Sequence, residues 1–138
     1  MRKLIKHILT AKVSLVMAIA FTMLLLYLSL MPAANLPDLG INQVDKLYHF
    51  TAYVLFSFLW FIYACLFRKI QKNLTFNSIV IALILFGIVV EVLQKTLTDY
   101  RMFDWWDILS NSAGILIVYF FFKYHKTKLG KLRQQLNV

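Results

Sequence analysis

Four stretches of apolar residues, each long enough to cross a lipid bilayer as a helix and each almost free of charge, constrain this chain more than any other feature. The first, Val13 to Met31, has no charge and stops at Pro32, after which Pro37, Gly40 and several polar residues make a loop. The second, Leu47 to Phe67, carries His49, and the third, from about Phe76 to Leu97, carries Glu91 and Lys95 near its end. The fourth, about Trp105 to Phe122, is apolar apart from Asp107 and the small polar group Ser110-Asn111-Ser112. A helix needs roughly 18 or more such residues to span the hydrocarbon layer, and all four qualify. With 138 residues, 61% of them hydrophobic and 15% charged, the chain has no room for a folded soluble domain beside these spans. The expected fold is all-α: a four-transmembrane-helix bundle over residues 1–122, with a basic tail over 123–138.

Charge fixes the expected direction of the spans. Of the 15 lysines and arginines, the N-terminus (Arg2, Lys3, Lys6, Lys12), the second loop (Arg68, Lys69, Lys72) and the tail (Lys123, Lys126, Lys128, Lys131, Arg133) hold all but three. Basic residues in short loops stay on the cytoplasmic side, which places both termini in the cytoplasm. The opposite side receives Lys46, Lys95 and Arg101 together with every acidic residue: Asp38, Asp45, Glu91, Asp99, Asp104 and Asp107. A net charge of +9 therefore reflects membrane topology, and nucleic acid is not an expected partner. The basic start followed by an apolar run resembles a signal peptide, but the run is longer than a signal's apolar region and Pro32-Ala33-Ala34 makes a poor cleavage site, so it reads as a retained span. The lone Cys65 lies in an apolar run and reads as a packed thiol.

The polar residues of the last three spans converge in depth. At about 1.5 Å per residue from the cytoplasmic ends, Glu91 and Asp107 lie about 22 Å up and His49 about 25 Å, inside a core about 30 Å thick. Residues three or four apart share a helix face. Asp45, His49 and Tyr53 form one stripe with Lys46 beside it; Glu91, Gln94 and Lys95 form a second; Asp104, Asp107 and Asn111 form a third, with Arg101 just before it. Ionised groups facing lipid are costly, so the stripes are expected to turn inward and form a polar pocket open to the outer face. Plainer roles compete with function: Asp38, Asp99 and Lys95 as interface anchors, Asp45 and Asp104 as helix N-caps, Glu91 in a buried ion pair, the aromatic group Tyr100, Phe103, Trp105 and Trp106 as an interfacial belt, and Ser112 and Gly114 as permitting close helix packing.

The pattern Asp45-Lys46-x-x-His49-Phe50-x-x-Tyr53, Glu91-x-x-Gln94 and Arg101-x-x-Asp104-x-x-Asp107-x-x-x-Asn111-x-x-Gly114 resembles the VanZ-like family, and Ser29 with Pro32 resembles that family's first helix. The resemblance implies a multi-pass protein of the bacterial cytoplasmic membrane. It also implies a family whose founding member is associated with resistance to the glycopeptide teicoplanin, and whose members are suspected of acting on lipid head groups or lipid-linked cell-wall precursors.

Two classes of function are expected from these residues. In the first, the chain is an enzyme of the outer leaflet: Arg101 and Lys46 hold a phosphate, Glu91 or Asp107 is a general base, and His49 is acid or nucleophile. Asp45, Tyr53, Gln94, Asp104 and Asn111 complete the binding residues. In the second, the pocket binds a lipid head group, an amphiphilic antibiotic or a partner protein without chemistry. A transporter fits less well, because the polar residues stop in the outer half. No cofactor is expected; a divalent metal on His49, Glu91, Asp104 and Asp107 is the less favoured alternative, since the sequence has no compact ligand motif.

Overall fold

The structure, a computed structural model, describes residues 11–31, 44–67, 73–97 and 104–136. Its elements are α1 (Ala11–Leu30), α2 (Val44–Ile62), a short π-helical turn (Tyr63–Phe67) continuing α2, α3 (Asn73–Leu97) and α4 (Trp105–Leu136). All four helices are long and apolar enough to cross a membrane. The fold is the expected all-α, multi-pass arrangement, and there is no strand among the described residues.

Contacts between helix ends establish an up-down-up-down bundle. The starts of α2 and α4 meet through Lys46 and Asp104, the end of α3 meets the start of α4 through Glu91 and Asp104, and the ends of α1 and α3 meet through Ser29 and Gln94. These groups define one end of the bundle; the start of α1 and the end of α4 lie at the other. The α2–α4 contact is the most extensive, followed by α3–α4, with α1 packed mainly against α2.

Two kinds of packing hold the helices. Toward the terminal end, Phe61, Phe76, Tyr119 and Phe122 form an aromatic core: Phe61 stacks on Phe122 at 5.5 Å and contacts Phe76 at 5.7 Å, centroid to centroid. Lipid chains are as apolar as these rings, so what the helices gain is close van der Waals contact rather than escape from water. Interhelical hydrogen bonds add to it. The Trp60 indole donates to Thr22 Oγ1 at 3.1 Å, tying α2 to α1, and the Tyr119 hydroxyl donates to Asn77 Oδ1 at 2.7 Å, tying α4 to α3. Such bonds are each worth about 0.6–2 kcal/mol in a membrane. Cys65 is buried in this core, with its thiol free.

Helix α1 is the least buried. Val16, Met23, Tyr27 and Leu28 all face outward, as expected of an apolar helix in lipid. Its described extent is Ala11–Leu30, and α3 covers Asn73–Leu97. The fourth helix does not end near Phe122 but continues through the basic segment to Leu136. Nothing between Lys123 and Leu136 forces a stop: Lys, Arg, Gln and Leu are good helix formers, and a single Gly130 costs about 1 kcal/mol without breaking the helix.

Candidate functional site

Backbone proximity between α2 and α4 sets the geometry of the site. A Cβ on Gly114 would lie 2.7 Å from the Phe50 carbonyl oxygen and 3.1 Å from the Val54 amide nitrogen. Only glycine permits this approach. Phe50 is next to His49, and Asn111 lies one turn before Gly114, so the same contact brings His49 Nδ1 to 3.2 Å from Asn111 Oδ1. On α3, Gly87 plays a related part: a Cβ there would stand 3.1 Å from the Tyr53 ring, and its absence lets the ring lie against α3 one turn from Glu91.

Lys46 is the electrostatic centre of the cluster. Its ammonium lies 2.7 Å from Asp45 Oδ2, 2.5 Å from Asp104 Oδ2 and 2.9 Å from Asp107 Oδ1. One cation thus joins the first turns of α2 and α4. Asp107 turns its second oxygen toward His49 Nε2 at 3.6 Å. Glu91, 2% exposed, accepts a hydrogen bond from the Asp104 amide at 3.3 Å, so α3 is tied into the same group. Asp104 also caps α4: its carboxylate accepts the Trp106 amide at 2.8 Å. The Lys46 ammonium, and then the Trp106 amide, hold the Asp104 carboxyl below the usual carboxylate range. Asp45 does not cap, because α2 already begins at Val44; it lies inside the first turn, half exposed, with its carboxylate on Lys46.

Beside this cluster lies a cleft of about 190 Å³ between α1 and α2. Phe21, Leu24, Leu25, Leu28 and Ala52 form its apolar walls, while Ser29, Tyr48, His49, Tyr53 and Gln94 give it polar edges. Gln94, 1% exposed, donates to the Ser29 carbonyl at 2.8 Å and closes the cleft at the α1–α3 contact. Leu24, Leu28 and Tyr48 are exposed on the bundle's apolar exterior, so the cleft opens sideways toward lipid.

The family-model comparison bears on these same residues. A model for the VanZ/LLP1 family matches residues 6–126, nearly the whole chain and all four helices. The chain belongs to the VanZ/LLP1 family. No curated protein and no solved structure shows a significant match.

Within this VanZ/LLP1 bundle, the residues singled out from sequence separate into three groups. His49, Glu91, Asp107 and Asn111 converge with Lys46, Asp45 and Asp104 at one end of α2, α3 and α4. Tyr53 and Gln94 lie on the cleft side with His49. Arg101 lies outside the described residues, as do Pro32, Asp38, Asp99, Tyr100 and Phe103. Trp105 and Trp106 point outward and are 70% and 67% exposed, as residues of an interfacial belt would be. The arrangement differs from a polar pocket lined by every stripe. Lys46 draws three carboxylates onto itself, and the cleft beside them is mostly apolar. Sequence reasoning missed the α1 wall of that cleft, because a helix apolar all round gives no sign of which face packs inward.

Proposed function

We propose that the chain binds the polar head of a membrane amphiphile at this end of the bundle and acts on it, phosphorylated lipids or lipid-linked cell-wall precursors being the substrate class. One observation carries this reading: His49 belongs both to the apolar, lipid-facing cleft and to the ionisable cluster. An amphiphile needs that junction, with its chain against Phe21, Leu25 and Ala52 and its head beside His49, Glu91 and Asp107. An apolar cavity of about 150 Å³ takes up apolar guests in preference to water, and this cleft is of that order.

In this reading His49 is the acid or nucleophile and Glu91 or Asp107 the base, with Tyr53, Gln94 and Asn111 positioning the head. Lys46 is already held by three carboxylates, so its role is to orient Asp107 and Asp104, and binding of a phosphate falls to Arg101. In this reading both termini are cytoplasmic, which the distribution of basic residues supports, and the site faces the outer leaflet of a bacterial cytoplasmic membrane, as the family resemblance implies. A link to glycopeptide resistance would arise through altered cell-wall precursors.

A second reading, binding without turnover, is supported by the same Lys46 network, since it serves architecture as well as it serves chemistry. The two separate by experiment. The purified chain is incubated in vesicles with polyprenyl-phosphate and phospholipid substrates and the products are followed by mass spectrometry. Turnover that disappears in Glu91→Gln and His49→Ala while both remain folded is expected; unchanged turnover in both removes the catalytic assignment. Saturable binding with no product selects the second reading.

A further inference from the structure

Three residues from three different helices bring donor atoms together: His49 from α2, Glu91 from α3 and Asp107 from α4 have ligand-type atoms all within 4.8 Å of one another. Two donors each about 2.1 Å from one ion stand about 3–3.5 Å apart. The His49 Nε2–Asp107 Oδ2 separation of 3.6 Å is therefore close to ligand spacing, and it is long for a direct hydrogen bond. We propose that His49, Glu91 and Asp107 form a divalent-metal site, with Asn111 fixing the imidazole from behind. This inference concerns the same three side chains as the lipid reading: with a metal bound they act as its ligands, and the acid–base work passes to water held on the ion.

The arrangement of His49 is the first support. Its Nδ1 faces Asn111 Oδ1, an acceptor, at 3.2 Å. With the imidazole hydrogen on Nδ1 donated to Asn111, Nε2 faces the Asp107 carboxylate, and a cation between the two, a proton or a metal ion, lets them approach. Metal-bound histidines commonly donate their other ring N–H to an oxygen in this way, which fixes both tautomer and ring direction.

Tyr53 is an independent second observation. It is 1% exposed, it lies one turn from His49 on α2, and its hydroxyl has no hydrogen-bond partner among the described residues. The phenol stands against Gly87, one turn before Glu91 on α3, and within electrostatic reach of the Glu91 carboxylate. A buried hydroxyl without a partner is costly. A water or a ligand oxygen held on the metal would supply that partner.

The lack of a compact ligand motif does not weigh against such a site, because its three ligands lie on separate helices. One imidazole and two carboxylates suit Mn²⁺ or Zn²⁺ better than a thiolate-preferring ion. Three protein ligands also leave positions open, as in catalytic rather than structural sites. The neighbouring group Asp45, Asp104 and Asp107 also has oxygens close together, but Lys46 already bridges all three.

The test uses the full chain in detergent, stripped with chelator and titrated with Mn²⁺ by electron paramagnetic resonance and with Zn²⁺ by equilibrium dialysis. One saturable ion per chain is expected. His49→Ala and Glu91→Gln should weaken it at least about 100-fold, Asn111→Ala about 10–100-fold, and Ser78→Ala, at the opposite end of α3, should leave it unchanged. Electron-spin-echo modulation from one imidazole nitrogen in the wild-type Mn²⁺ protein, absent in His49→Ala, reads the ligand directly even where a variant folds poorly. Absence of saturable binding, absence of imidazole modulation in the wild type, or a loss in Ser78→Ala equal to that in His49→Ala would overturn the proposal.

Discussion

The two ends of this bundle are built on opposite physical terms. At the terminal end, Phe61, Phe76, Tyr119 and Phe122 fill the space between helices with rings. At the other end, the helices meet through one ammonium, four carboxylates, an imidazole and two carboxamides. Aromatic packing asks nothing of the surroundings. Ionisable groups at membrane depth are costly unless each finds a partner, and a protein that only needed to hold four helices together could have continued the aromatic core to the far end. Ring packing therefore joins the helices at the terminal end, while at the other end ionisable groups join them beside a mostly apolar cleft.

The largest effect should come from cutting the packed half. Phe122→Ala removes the ring stacked on Phe61 and is expected to cost stability near the lower end of about 3–5 kcal/mol, since lipid rather than water meets the exposed surface. Unfolding in mixed micelles measures it. Ligand or ion binding by the surviving folded fraction should match wild type; a loss of affinity as large as that of Glu91→Gln would mean the two halves are not separable.

A smaller effect, reaching both halves, is expected from Gly114→Ala. The new methyl meets backbone atoms of α2 at 2.7 and 3.1 Å, which cannot move as a side chain tip would. Overpacking of this kind costs about 1–3 kcal/mol. Because the same contact aligns Asn111 with His49, the variant should also weaken binding at the site. Stability lost with binding intact would show that α2–α4 separation does not set the site's geometry.

The smallest effect concerns pH. The Asp104 carboxyl lies below its usual value when folded, so its contribution to stability is present in full above about pH 4, the unfolded value, and is lost as pH falls through the lower folded value. Asp104 is partly exposed, and the contribution should amount to about 0.5 kcal/mol. Comparing wild type with Asp104→Asn between pH 6 and about pH 3 checks it: the difference between them should shrink on acidification. A difference that grows would reverse the assigned sign.

Much of this arrangement is legible in the sequence, and the parts that are not have physical reasons. Uncharged runs mark the spans because hydrocarbon permits little else, and Glu91 is conspicuous because a carboxylate inside such a run must turn inward. Asp104 before Trp105 reads as a cap, and it is one. Whether Asp45 or Lys46 reaches into the cluster is not written in helical spacing; the longer lysine side chain decides it by spanning from α2 to both Asp104 and Asp107. The cleft is equally hidden, since Phe21, Leu24 and Leu25 differ in no visible way from the lipid-facing Val16 and Met23. The Trp60–Thr22 bond is likewise invisible, because its partners lie on separate spans.

The central claim is that the cleft and the polar cluster act as one amphiphile site, and the most direct measurement is the affinity of the intact chain in lipid nanodiscs for a polyprenyl phosphate, compared between wild type and Ala52→Phe. Ala52 lines the cleft and belongs to none of the ionisable cluster. Filling the cleft with a ring should weaken binding by about tenfold or more, equivalent to about 1.4 kcal/mol, with thermal stability unchanged. Equal affinity in the two proteins, with the variant folded, would contradict the account.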